Sequence, residues 1–378
     1  MRGAIVDSIA RDDDGGCRVR WHYDGYLEIP ECETMWWRPG PRDDEDAANL
    51  ALAMLLPMVV SVGEGVTLPY AISEASLEFW RAKLGALQRF YQRPIQVQIE
   101  PVESRELPDY AGDGVALMFG GGADSCSVLG RLLDEGEKPA LIRIAGGESL
   151  NGETMACIRR VAAYAGVPVT RVETNTGRTY ADLCRAWAQH WNADDPIGYV
   201  RAFHRNTDMR AVAPVYMTHG FKFFFSALGA LPEQATRLVY SWGLDAACDI
   251  YEKYGNGFSF YNELPYRGIR LDPRTGGNKT EEYAYLHARH PEIAANVKAC
   301  AHDGKQWCGT CCKCVLAYVC QVAAGLPRIA IQEASLHKMH YATRVCGALE
   351  FFHRSGRQDA EAERFLFERL AAITSTAH

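Results

Sequence analysis

The chain contains no apolar run long enough to span a bilayer. Its longest, Leu50 to Met58 and on to Val62, is short and carries Pro57, so it predicts a buried helix and no membrane segment. No apolar stretch follows the opening Met1, Arg2, Gly3, so no signal peptide is visible and a cytoplasmic protein is expected. Positive charge is not in excess either. The formal net charge is -7 and the pI about 5.9, which leaves no whole-protein basic footprint, and no direct nucleic-acid binding is expected, a local basic groove aside. No internal repeat or low-complexity segment stands out, and 48% hydrophobic with 23% charged residues is ordinary for a globular chain. The 13 cysteines do not read as a disulfide framework, which belongs to short secreted chains. Six of them (Cys300, Cys308, Cys311, Cys312, Cys314, Cys320) fall within 21 residues, a density that metal binding explains better than scattered bridges.

What is present divides into three parts. Residues 1–112 predict an N-terminal α+β extension: alternating Ala4, Val6 and Val19, Trp21, Tyr23 around a turn at Asp12 to Gly16, then helices over Asp46–Val60 and Glu74–Tyr91 with Ser73 as cap, then a period-2 strand at Ile95, Val97, Ile99. Residues 113–298 change to strand, glycine turn, helix. Val115 to Phe119 is a continuous apolar run, as in a strand buried on both faces of a parallel sheet. The following helix turns Val128, Leu129, Leu132 and Leu133 inward and stops near Gly136; Ala140 to Ile144 is the next strand. A helix from Gly152 to Ala165 and a strand from Val167 to Val172 repeat the unit, and Arg237 to Tyr240 is a further strand. Residues 299–378 hold the cysteine cluster and a mostly helical remainder.

Gly120, Gly121, Gly122, Ala123, Asp124 and Ser125 join the apolar strand to its helix. Backbone amides in such a turn, together with the positive end of the helix, form a cradle for phosphate. No Lys followed by Ser or Thr comes after it, so it is not a Walker loop, and the G-x-G-x-x-G order of dinucleotide folds is missing. A carboxylate beside phosphates is unfavourable unless a cation lies between, so Asp124 reads as a Mg²⁺ partner or as a helix cap. Among the cysteines, Cys308 and Cys311, then Cys311 and Cys314, are spaced C-x-x-C, with Cys300 eight residues upstream. Four thiolates suit tetrahedral Zn²⁺, with Gly309 allowing the tight knuckle and Cys312 competing for a place. Cys126, one residue past the turn, is a nucleophile or a packing residue; His204 and His219 are wall or structural histidines; Trp36 and Trp37 point to opposite sides of a strand, one at least into the core.

The turn resembles the Ser-Gly-Gly-x-Asp-Ser signature of PP-loop ATP pyrophosphatases, with Gly121, Gly122, Asp124 and Ser125 matching and Gly120 where the first Ser is expected. Taken with Lys279, Thr280, Glu281 and the run Cys308 to Cys314, residues 114–326 are similar to the 7-cyano-7-deazaguanine synthase family of queuosine biosynthesis. That resemblance implies an adenine-nucleotide α-hydrolase-like, Rossmann-like parallel sheet with a zinc-stapled C-terminal helical lobe. It implies ATP on Gly120 to Ser125 with Mg²⁺, Zn²⁺ on Cys300, Cys308, Cys311 and Cys314, and catalytic roles for Asp124, Ser125 and Lys279. The reaction implied is adenylation of a 7-carboxy-7-deazaguanine-like acid followed by attack of ammonia or an amine. Lys279 is either a phosphate contact or a solvated lysine at a helix start. The family's recognition segments depart here: Val215, Tyr216 and Met217 follow Pro214, and Asp245 to Asp249 is only a faint echo. Conjugation of such an acid to a protein or metabolite amine, ATP-dependent thiolation, and a degenerate nucleotide-binding module remain as alternatives, and a homodimer is compatible with the sequence.

Overall fold

The computed structural model describes residues 2–25, 29, 34–60, 64–91, 99–100, 104–105, 107–146, 152–177, 179, 223–242, 265–300, 302, 304–338 and 342–375. Pro214 to Met217, Asp245 to Asp249, His204, His219 and most of the expected strand at Ile95 to Ile99 lie outside them.

The chain opens with a hairpin, β1 (Gly3–Arg11) and β2 (Cys17–Asp24), and β3 (Met35–Arg38) pairs antiparallel with β2. Helix α1 (Asp44–Val60) buries Leu50 to Leu55 completely or nearly so. Strand β4 (Gly65–Thr67) lies parallel to β1; β5 (Ile72–Ser73) precedes α2 (Glu74–Tyr91), whose first turn is capped by Ser73 accepting the Ser76 amide at 3.1 Å. β6 (Ile99–Glu100) pairs with β4, and β7 (Ser104–Arg105) with β5.

The second part supplies β8 (Gly114–Met118), α3 (Ala123–Asp134), β9 (Ala140–Gly146), α4 (Gly152–Ala165), β10 (Val169–Thr174), β11 (Ala235–Trp242) and β12 (Arg270–Thr275). β10 begins two residues later than its apolar run suggests. The Val167 amide is still donating to Ala162 at the end of α4, and pairing with β9 starts at the Pro168 carbonyl oxygen, which accepts the Leu141 amide at 2.9 Å. Strands β12, β11, β8, β9 and β10 are parallel in that order, and the sheet does not stop there. β10 pairs antiparallel with β3, Thr174 opposite Trp37 and Glu173 opposite Arg38, so a ten-stranded sheet runs from β12 through to β6.

Alternation along β8 shows how both faces are covered. Ala116 and Met118 pack into a core with α1, α2 and residues 223–231, while Leu117 and Phe119 pack into a second core with α3, α4 and the helices that follow β12. The residues read as an extension therefore share the first core: Trp37 is buried and donates from Nε1 to Ser226 Oγ at 3.1 Å, and Trp80 stacks on Phe225. Trp36 is only partly buried, as neighbours on one strand require.

The helices after β12 are α5 (Lys279–Arg289), α6 (Pro291–Ala295), α7 (Cys312–Ala324), α8 (Ala342–Arg354) and α9 (Ala360–Ser375). Helix α5 packs against α3, α7 and α8 in the second core, which joins the C-terminal helices to the sheet. No helix among the described residues is long and apolar enough to cross a membrane.

Candidate functional site

β8 ends at the glycine turn, and the turn opens into a cavity of about 570 Å³. Gly121 takes φ +77°, a left-handed conformation that lets the chain reverse out of the strand. Gly122 is then the extended N-cap of α3, with no side-chain cap, so the first amides of the helix meet no protein acceptor from that residue. Asp124 is not a cap. Gly120, Gly122, Ala123, Asp124 and Ser125 all line the cavity.

Opposite them is the start of α5, fixed by a capping box. Asn278 accepts the Glu281 amide at 3.0 Å, and Glu281 accepts the Asn278 amide at 2.9 Å. That geometry sets Lys279 in the first helical position and Glu282 three residues on, on the same face. Lys279 is mostly buried, forms an ion pair with Asp124 and donates to Glu282 Oε2 at 2.9 Å. The reading of Lys279 as a solvated lysine is therefore corrected: the capping box points it inward.

Burial opposes ionisation of Asp124, but Lys279 and Arg344 outweigh it and hold the carboxyl below its usual range. Burial acts on Glu282 without such full compensation and, with Asp124 adding to the rise, pushes it up to about 8. Lys279 is held above its ordinary value despite burial, because Asp124 and Glu282 favour the ammonium. The three form one coupled cluster in which Asp124 favours its ionised form and Glu282 its neutral form.

The rest of the wall is assembled by the fold. Arg143 from β9, Lys298, Lys313 from α7 and Arg344 from α8 join Lys279 around the cavity; among the described lining residues Asp124 is the one acid. Phe223, Tyr240, Tyr283 and Leu316 add apolar surface. A cavity with these five cations, one acid and a helix N-terminus can hold an anion, and its aromatic side chains can meet a flat or apolar portion. These residues come from separate elements and share no local pattern. A local signal existed only for the strands that carry Arg143 and Tyr240, and it said nothing of a cavity.

The second centre is the cysteine cluster. The Sγ atoms of Cys300, Cys308, Cys311 and Cys314 lie within 4.8 Å of one another. Separations are 3.8 Å for Cys308–Cys314, 3.9 Å for Cys311–Cys300 and 3.5 Å for Cys311–Cys314. Zinc–sulfur bonds of ~2.3 Å in a tetrahedron set sulfurs ~3.8 Å apart, so the four thiols can hold a metal such as zinc. Burial works against ionisation of Cys308; donation from the Thr310 hydroxyl at 3.3 Å and amide at 3.4 Å outweighs it and brings the thiol down to about 5. Gly309 forms the knuckle at φ +71°, and a Cβ there would lie 2.9 Å from the Ala330 carbonyl oxygen. Cys312 starts α7 and is not part of the cluster. Cys126 is fully buried in the second core, and burial raises its thiol far above the reactive range, which favours the packing role.

Comparison of the chain with models of known protein families, with curated proteins and with solved structures finds no match.

Proposed function

We propose that the chain is an ATP-dependent ligase that adenylates a carboxylate and passes the acyl group to nitrogen. The observation that carries the reading is the opening of the glycine turn into a cation-lined cavity at the end of a central parallel strand. A triphosphate on the amides of Gly120 to Ser125 would meet the N-terminus of α3 and the cavity cations, as in an adenine-nucleotide α-hydrolase-like fold. Asp124, kept ionised, is the residue to hold Mg²⁺, an ion commonly bound by one or two carboxylates with phosphate oxygens completing its shell. When bound, that ion offsets phosphate charge.

In the first step a carboxylate oxygen of the acid attacks the α-phosphorus, and the bond to the β-phosphate oxygen breaks to release pyrophosphate. In the second, ammonia or an amine attacks the acyl carbon; AMP leaves and the nitrogen loses a proton. Lys279 supplies a buried positive charge beside the phosphates where negative charge develops. Ser125, buried with its hydroxyl donating to the Gly122 carbonyl oxygen at 3.2 Å, stiffens the turn. Phe223, Tyr240 and Tyr283 offer faces for a planar base or acid, consistent with a substrate like 7-carboxy-7-deazaguanine. The test is incubation with ATP, Mg²⁺, ammonia and a panel of heteroaromatic acids, scored for AMP and pyrophosphate. Release of ADP would exclude the mechanism, and Lys279→Met is expected to lower turnover by about 10²- to 10³-fold.

A further inference from the structure

The cavity cations differ in what already holds them. Lys279 is committed to Asp124 and Glu282, and Lys298 donates to the carbonyl oxygens of Cys300 and His302. Arg143 has far less. Among the described residues its Nη1 makes one long donation, 3.3 Å, to the carbonyl oxygen of Gly120, and its buried Nε has no hydrogen-bond partner. Among the described residues no carboxylate pairs with it, and its guanidinium is shifted below the ordinary arginine range by burial and then by Arg171. Arg171 is its direct partner in the β9–β10 register, and is itself paired with Glu173 at 2.9 Å. Like charges directly opposite on neighbouring strands destabilise a sheet, and a partly buried cation without a counter-ion is costly. An anion at the mouth of β8 removes both costs.

The place fixes which anion. Arg143 leans on the first residue of the glycine turn, with Nη1 3.6 Å from where a Cβ on Gly120 would stand. A side chain's own donor is missing there, because residue 120 is glycine. We propose that Arg143 is the side-chain receptor for the pyrophosphate portion of the nucleotide, supplying from the neighbouring strand the donor that residue 120 lacks. The assignment rests on the nucleotide reading above but is tested separately from it. A guanidinium offers two parallel donors to a phosphate, which a lysine at the same place cannot copy.

The experiment is calorimetric titration of wild type, Arg143→Gln and Arg143→Lys with Mg·ATP, AMP and inorganic pyrophosphate. Wild type is expected to bind Mg·ATP and pyrophosphate. Arg143→Gln should weaken both by about 10- to 100-fold while leaving AMP within about threefold, and Arg143→Lys should recover only part of the loss. Because no carboxylate among the described residues loses a partner, unliganded Arg143→Gln should melt no lower than wild type, an outcome that a structural role for the arginine would reverse. Equal losses for AMP, or unchanged pyrophosphate binding in Arg143→Gln, overturn the assignment and leave adenylation standing. Pyrophosphate binding that depends on Arg143 in a protein that ignores ATP would overturn both readings, since the arginine would then hold free pyrophosphate and no nucleotide. A wild type that binds neither sinks both.

Discussion

The backbone amide of Lys298 donates to the carbonyl oxygen of Gly121 at 2.7 Å, while the amine of the same residue donates to Cys300 at 2.7 Å and His302 at 3.1 Å. One buried residue thus fastens the left-handed position of the glycine turn to the loop that carries the first cysteine of the metal site. The two centres are separate in chemistry and joined in structure.

Loss of a metal from the four cysteines should therefore be felt at the turn. Chelation, or Cys314→Ser, is expected to abolish stoichiometric zinc by elemental analysis and, on the nucleotide reading proposed above, to lower the affinity for ATP by at least about tenfold, or ~1.4 kcal/mol. Amide exchange at Gly121 to Ser125 should speed up in parallel. Unchanged exchange there after metal loss would show that Lys298 carries no coupling.

Two glycines of the turn should respond in opposite ways to a side chain. Gly120 is outside the left-handed region, and a Cβ on it meets Arg143 Nη1 at 3.6 Å and Ser125 Oγ at 4.0 Å, ordinary contacts. Gly120→Ser should stay within about 0.5 kcal/mol of wild type in urea unfolding. Gly121→Ala forces a left-handed alanine with its Cβ 3.2 Å from Ile158 Cγ1, and should cost at least ~1–2 kcal/mol.

Glu282 gives a pH dependence of definite sign. Its folded value, about 8, lies above the ordinary 4.5, so the folded state keeps a proton that the unfolded chain has released. Stability from this group is complete below about pH 4.5 and is lost as pH rises toward 8. In Glu282→Gln that loss is absent. The variant should gain on wild type by a few kcal/mol between pH 5 and 8, read as the difference between their unfolding free energies. A constant difference would show that Glu282 is ionised throughout.

Most of the parallel unit was legible because its signals are local. Apolar runs such as 115–119, a glycine turn, inward positions Val128, Leu129 and Leu132, and C-x-x-C spacing each sit within a few residues. β12 escaped notice because Arg270–Thr275 is an edge strand carrying two arginines, an aspartate and Pro273, which have no apolar period. The cation wall escaped it for a different reason: Arg143, Lys298, Lys313 and Arg344 meet only because β9, the loop after α6, α7 and α8 come together at one place. Glu282 reads as one more charge on a helix start until the capping box decides which way the helix faces.

A buried network in the first core supplies a stability test away from the site. Arg267 pairs with Asp43 at 2.7 Å and with the fully buried Asp46 at 3.0 Å, and Tyr266 donates to Asp46 at 2.8 Å. Arg267→Met leaves that carboxylate without its cation and should cost about 3–5 kcal/mol in urea unfolding. The double variant with Asp46→Asn should recover much of the loss, and failure to do so would mean that the arginine acts by packing alone.

The pairing of β3 with β10 also sets an order of events at the ribosome. The hairpin and β3 emerge more than a hundred residues before the edge they must meet, so the early product presents an unfilled strand edge until Val169–Thr174 is made. Synthesis speed through that interval, and whatever shields the waiting edge, should govern the yield of active protein as strongly as its final stability does.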